Sequence, residues 1–308
     1  MEPWKKAIVA IAAAAAVIAT VVAVGSLAGW FGAPYVVSIE NRWGDVSSNE
    51  MRLVTSVTIE NPNPFPVTIS SLRYRILLNN VTMAGGYDTD VTLQDGTTDL
   101  DYVTGLNMSR IPRWWSSHIA RDETTRIELV YTVRAGIGPL HRSYTSRKTY
   151  DTIDTDLLSM LHLSEPRNIT VSIGGQDRRL LVATDFAARW GTITDGATVI
   201  NATVDLYNPH GSTVTVNTFT YYFTMNGVTV GSGSLGSSVP LPPRRITSVA
   251  VDTVIDSSDL IDWFTIHVRN NETTRYEIGG SATFTFNGQR HTAEPVHLTG
   301  MFTTDLLG

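Results

Sequence analysis

The chain has 308 residues, 42% of them hydrophobic and 17% charged, with a formal net charge of −6 and no cysteine. That is globular composition rather than disorder, and the length suits two or three domains. A mildly acidic chain lacks the basic footprint that nucleic acid requires, and without cysteine there are no disulfides and no thiolate-ligated zinc or iron–sulfur centres.

From the N-terminus, residues 7–29 read AIVAIAAAAAVIATVVAVGSLAG, with no charge and nothing more polar than Thr20 and Ser26. At about 1.5 Å per residue this run makes roughly 35 Å of helix, enough to cross a bilayer core of about 30 Å. Trp4 before it, and Trp30 and Phe31 after it, stand where aromatic rings favour the two membrane interfaces. Lys5 and Lys6 precede the run, and no basic residue follows before Arg42. The positive-inside rule then predicts a single-pass protein of the cell membrane, with a cytoplasmic N-terminus and extracytoplasmic domains. Residues 1–32 are read as a cytoplasmic stub and transmembrane anchor helix, with the lipid bilayer as partner through 7–29. Two other readings stay open. A cleaved signal peptide has small-residue sites at Ala23-Val24-Gly25 and Ser26-Leu27-Ala28, although its apolar core usually spans only about 7–15 residues. A buried soluble helix is the other, since alanine is only weakly apolar.

Beyond the run the chain repeats itself. Arg42-Trp43-Gly44 recurs as Arg189-Trp190-Gly191, and without a gap Asn61-Pro62 falls on Asn208-Pro209, Tyr74 on Tyr221 and Val81-Thr82 on Val228-Thr229. After a two-residue slip Trp114 matches Trp263, His118 matches His267, and Glu123-Thr124-Thr125-Arg126 matches Glu272-Thr273-Thr274-Arg275. Thr155-Asp156-Leu157-Leu158 lands on Thr304-Asp305-Leu306-Leu307. Such self-similarity marks duplication of one unit. It sets a first domain at 33–158, a linker at 159–179 and a second domain at 180–308. Within the linker, ITVSI could add a strand to either domain.

Each unit reads as strands. Leu72, Tyr74, Ile76 and Leu78 alternate with Arg73, Arg75 and Leu77, and Phe219, Tyr221, Phe223 and Met225 hold the same places in the second copy. Asn79-Asn80 and Asn226-Gly227 then predict two-residue hairpin turns. Further strands are expected at 126–133, 199–206, 246–254 and 275–286. Helix is expected only beside 154–161 and 256–264, where Asp or Ser can cap a first turn. Frequent turn signals and scarce helical periodicity predict an all-β fold of two tandem antiparallel β-sandwiches.

The stretch VTSVTIENPNPFPVTISSLRYRILLNNVTMAGG at 54–86 resembles the signature of the group 2 late-embryogenesis-abundant (LEA14-like) domain, also called the water stress and hypersensitive response (WHy) domain. The motif is carried by Asn61, Pro62, Asn63, Pro64, Phe65 and Pro66. The second copy keeps Asn208 and Pro209 but continues with His210-Gly211-Ser212-Thr213. The resemblance implies fibronectin-III-like sandwiches and a loosely defined protective role in desiccation or other stress, with lipid binding suggested for some distant relatives. The whole chain is most similar to archaeal tandem members behind a membrane helix.

Several residues invite a functional reading. His118 with Glu123 recurs as His267 with Glu272, yet five positions apart on a strand such side chains point to opposite faces, so a ring hydrogen-bonded beside Trp114 or Trp263 is favoured over a metal ligand. Trp114-Trp115 and Trp263-Phe264 are expected to pack, with exposed rings as a possible surface for a lipid or envelope protein partner. Asp88, Asp90, Asp95, Asp99 and Asp101 could gather Ca²⁺, but the second copy has no acid there and a solvated loop is favoured. Asn80, Asn107, Asn168, Asn201 and Asn271 each open an N-x-Ser/Thr sequon for N-glycosylation. No G-x-S-x-G, phosphate-binding glycine loop or H-E-x-x-H occurs, so no catalytic, cofactor-binding or metal residues are assigned. The sequence therefore predicts a non-catalytic structural or stress-protective protein, with a protein that binds a lipid or envelope partner, or adheres, through an apolar groove or exposed Trp pairs as the alternative.

Overall fold

The structure is a computed structural model, and it describes residues 34–303 apart from 138, 139, 162 and 164. The apolar run 7–29, and with it the expected anchor helix, lies outside the described residues. Among the described residues no helix is long and apolar enough to cross a membrane. The chain divides into two compact units, with the main boundary between Asp154 and Thr155.

The first unit contains β1 (Tyr35–Val46), β2 (Met51–Asn61), β3 (Val67–Leu78), β4 (Val81–Asp88), β5 (Val91–Leu93), β6 (Gly96–Leu106), α1 (Ile111–Ile119), β7 (Thr124–Ile137) and β8 (Leu140–Asp154). All pairings are antiparallel, in the order β1-β2-β6-β4-β3-β7-β8, with β5 added to β3. The path joins β6 to β4 through the single pair Ala84↔Leu106. There it folds over, so β2 and β6 face β3 and β7 across one core. Val57 and Ile59 from the first layer meet Leu72, Tyr74, Leu129, Tyr131 and Val133 from the second. The strands arise because every second side chain has the same fate. In β2, Met51, Leu53, Thr55, Val57, Ile59 and Asn61 are all buried, while the residues between them face outward.

The second unit contains β9 (Arg167–Ile173), β10 (Gln176–Ile193), β11 (Ala197–Tyr207), β12 (Val214–Met225), β13 (Val228–Ser234), β14 (Val239–Leu241), β15 (Ile246–Asp256), α2 (Asp259–Arg269), β16 (Thr273–Phe286) and β17 (Gln289–Thr303). Its order, β17-β16-β12-β13-β15-β11-β10-β9 with β14 on β12, reproduces the first unit strand for strand and adds β9. Both hairpin turns take the expected left-handed residues, with φ of 49° and 68° at Asn79-Asn80 and 50° and 80° at Asn226-Gly227.

Two expectations differ from the structure. Residues 159–179 are not simply a linker: ITVSI lies in β9, Gly174-Gly175 turn the chain, and β9 pairs with β10 through Ile173↔Gln176 to Arg167↔Ala183. Ile169 and Val171 then join Leu180 and Leu181 in the second core, a burial that holds a short strand between polar turns. Helix also occurs where none was expected, at α1, while α2 and a 3-10 turn at Leu158–Leu161 lie beside the expected places. Pro112 opens α1, and Ile111, Trp115, His118 and Ile119 bury one face at helical spacing.

Candidate functional site

The Asn-Pro motif is a turn lock. Asn61 ends β2 with 1% of its surface exposed. Its side-chain amide donates to the Phe65 carbonyl at 2.9 Å and the Leu93 carbonyl at 3.3 Å, and its Oδ1 accepts the Asn63 amides at 3.2 Å (backbone) and 2.8 Å (side chain). Proline lacks an N–H, so Pro62, Pro64 and Pro66 stop the ladder, and the asparagine supplies the pairing they cannot. Asn208 does the same, donating to the Ser212 and Leu241 carbonyls at 2.9 Å each and accepting the His210 backbone N–H at 2.9 Å. Because these bonds run to backbone, the second copy tolerates His210-Gly211-Ser212-Thr213 in place of Asn-Pro-Phe-Pro. His210 fills the place of Asn63 by bonding through Nε2 to the Leu180 carbonyl at 3.0 Å and packing on Phe286.

A second duplicated cluster joins helix to hairpin. The Asn79 side-chain amide donates to the Thr124 carbonyl at 2.8 Å, and its Oδ1 accepts the Arg126 N–H at 2.9 Å. Asn226 makes the matching bonds to Thr273 (3.0 Å) and Arg275 (2.9 Å). On α1, Trp114 Nε1–H donates to Thr125 Oγ1 at 3.0 Å, and that hydroxyl shares a 2.9 Å hydrogen bond with His118 Nδ1. Trp263 repeats the bond to Thr274 at 2.9 Å. Both imidazoles are buried, and burial pushes His118 down to about 4, against a smaller opposing pull from Glu123 and Asp154. Burial likewise pushes His267 down to about 4. Each ring is neutral at physiological pH, acting as a packing and hydrogen-bonding group rather than as an acid. The expected strand geometry for His118 and Glu123 is corrected: the imidazole projects from a helix. Glu123 follows that helix with φ of 58°, directly after Asp122 at 52°.

The rings of the aromatic pairs are mostly turned inward. Trp115, Trp263 and Phe264 are buried, and half-buried Trp114 is turned in by its bond to Thr125. The acidic residues are dispersed as well. Asp99 and Asp101 lie on β6 and accept the Thr58 and Ser56 hydroxyls at 2.7 and 2.6 Å, while Asp88 accepts the Thr89 N–H at 2.8 Å. Among the described residues no three His, Asp or Glu side chains are placed to hold a metal ion. The sequons Asn80, Asn107, Asn168 and Asn271 are exposed. Asn201 is half-buried in β11, where its amide donates to Asp252 Oδ1 at 2.9 Å.

Sequence reasoning missed one further duplicated pair. Tyr74 OH bonds Thr104 Oγ1, and Tyr221 OH bonds Thr253 Oγ1. Gly86 and Gly233 leave room for these rings, since a Cβ at either would lie 2.5 or 2.1 Å from the tyrosine. The signal was available, because tyrosine, glycine and threonine each recur at the repeat's own offset.

The family described as "Late embryogenesis abundant protein" matches residues 56–149 and again 203–299. Among solved structures, a protein from Archaeoglobus fulgidus is 28% identical with a TM-score of 0.36, covering 40% of this chain and 100% of its own. One from Arabidopsis thaliana is 15% identical with a TM-score of 0.28, covering 42% and 89%. A β-glucuronidase of glycoside hydrolase family 2 is 10% identical with a TM-score of 0.25, and the overlap spans 25% of that enzyme. At TM-scores this low the overlaps decide nothing about activity. No curated protein matches the chain. The two family matches cover more than half of the 308 residues and fall one on each sandwich, with the Asn61 and Asn208 turns within them; the chain belongs to the late embryogenesis abundant family, carrying its domain twice.

Proposed function

We propose that this chain is a membrane-anchored, extracytoplasmic protein that protects against desiccation or osmotic stress through its folded, hydrated surface. Family membership supports a stress-related, non-enzymatic role. The observation that carries the reading is what the duplication kept. Asn61 and Asn208, Asn79 and Asn226, Tyr74 and Tyr221, and Trp114 and Trp263 all make the same internal hydrogen bonds in both copies. Preservation of scaffold contacts fits a protein that works as a stable body. Anchoring and orientation are supported by the uncharged length of 7–29 and its lysines on one side only.

Two experiments test it. Drying and rehydrating a labile enzyme with the full chain should preserve more activity than with equal mass of the Asn61→Ala/Asn208→Ala variant. Equal protection by both forms would remove any role for the folded state. Since the chain has no cysteine, Glu2→Cys and Asp90→Cys can be labelled singly in intact cells. An impermeant maleimide should reach only the second, and labelling of the first alone would reverse the topology.

A further inference from the structure

The two copies share a fold but differ in the charge of one sheet face. In the first unit Leu72, Tyr74 and Ile76 of β3 and Ile127, Leu129, Tyr131 and Val133 of β7 are buried. The side chains between them therefore project from the opposite, outer face. That face carries Arg73, Arg75, Arg126 and Arg134, all exposed, with Arg73↔Thr132, Arg75↔Val130 and Ser71↔Arg134 in register. Its acids are few and engaged. Glu128 is held by Arg147 at 2.6 and 2.9 Å, and Asp154 accepts the Thr124 hydroxyl at 2.8 Å at one end. Tyr87, 62% exposed, lies beneath Arg73, whose guanidinium carbon sits 5.3 Å from the ring centroid. The outer face of the opposite layer sets Glu40, Glu60, Asp99 and Asp101 against Arg42 and Arg52, so its balance is acidic where the β3–β7 face is basic.

The second unit supplies an internal comparison. On the matching face Thr220, Tyr222 and Thr283 stand where Arg73, Arg75 and Arg134 do. Arg275 is kept, but Glu277 binds the Tyr222 hydroxyl at 2.9 Å instead of an arginine, and that hydrogen bond and charge, with a smaller contribution from Glu294, push the pKa of the hydroxyl up. Fold preservation therefore does not require these arginines. They belong to the copy that directly follows the apolar run, where residues 30–34 alone precede β1. Five residues reach at most about 18 Å, so the first unit cannot stand clear of a bilayer crossed by 7–29.

We propose that the arginine face of β3 and β7 docks on anionic lipid headgroups of the membrane that anchors the chain. Guanidinium groups pair with phosphate oxygens in a planar fork, and an amphipathic tyrosine beside them suits the headgroup zone. A protein with net charge −6 would otherwise be repelled by such a surface. The inference rests on the anchoring reading of 7–29.

The test uses the full chain in nanodiscs of phosphatidylcholine alone or with about one third phosphatidylglycerol, a composition that supplies the anionic surface potential. A fluorophore on Thr132→Cys reports the arginine face, and one on Ser281→Cys reports the matching place in the second copy. The expected result is severalfold stronger quenching of the first label by a headgroup-linked quencher in anionic discs, reversed by about 0.5 M salt, with the second label unaffected. Arg73→Glu/Arg75→Glu/Arg134→Glu should abolish the difference, whereas the three lysine substitutions should retain it, separating charge from folding. Equal quenching in both lipids, or full quenching by the glutamate variant, overturns the proposal. A chain that does not enter nanodiscs refutes the anchor instead. Flotation of that chain with phosphatidylglycerol vesicles then decides the face by itself, binding upholding it and absence of binding overturning it.

Discussion

Asn61 and Asn208 show how one side chain can hold a sandwich end closed. Each is almost fully buried, and each satisfies two carbonyls and at least one N–H that proline or turn geometry leaves without ladder partners. Truncation strands those groups in the interior, so Asn61→Ala or Asn208→Ala should cost about 3 kcal/mol, read as a lower urea midpoint. Asn61→Asp, which keeps the acceptor and loses the donor, should also destabilise. The buried histidines make stability pH-dependent. In the unfolded chain each titrates near 6.5, but in the fold burial holds His118 and His267 at about 4. Between those values the unfolded state binds protons that the native state refuses, so stability is full above about pH 6.5 and falls as the pH drops toward 4. Each ring contributes up to about 3 kcal/mol to that loss. Denaturant midpoints from pH 7.5 to 4.5 should show the decline, and His118→Gln/His267→Gln should flatten it; an unchanged slope would mean the rings are not buried neutral.

At the scale of elements, the hairpins are set by backbone conformation. Gly227 sits at φ of 80° with no atom within 4 Å of a would-be Cβ, so substitution there meets only the left-handed penalty. Gly227→Ala should cost about 1 kcal/mol, and Gly227→Asn clearly less, because Asn80 already fills the same position in the first copy at 68°. Thermal melts of the two variants check this directly. The α1 helix illustrates the reverse case. Its Trp-Trp pair and branched neighbours suit a strand, yet burial of Ile111, Trp115, His118 and Ile119 at helical spacing decides the conformation. The repeat contained the correction: α2 covers the matching residues, so a helix expected at 256–264 implied one at the same place in the first copy, although α1 lacks the acidic first turn of α2.

For the molecule as a whole, the sequons divide by exposure. Native material is expected to carry glycan on Asn80, Asn107, Asn168 and Asn271, and none on Asn201, whose amide is tied to Asp252 across β11 and β15. Glycopeptide mass spectrometry checks each position, and a modified Asn201 or four bare exposed asparagines would contradict it. Duplication, the all-β class, the hairpin positions and the Asn-Pro turn were legible in the residues, because period-two burial, left-handed turn residues and proline's missing N–H are local properties that any fold must obey. The destination of ITVSI, the tucking of the tryptophans and the tying of Asp99 and Asp101 to strand hydroxyls were decided only in three dimensions. Each depends on which surface lies opposite in space, and a residue's neighbours in sequence carry no record of that.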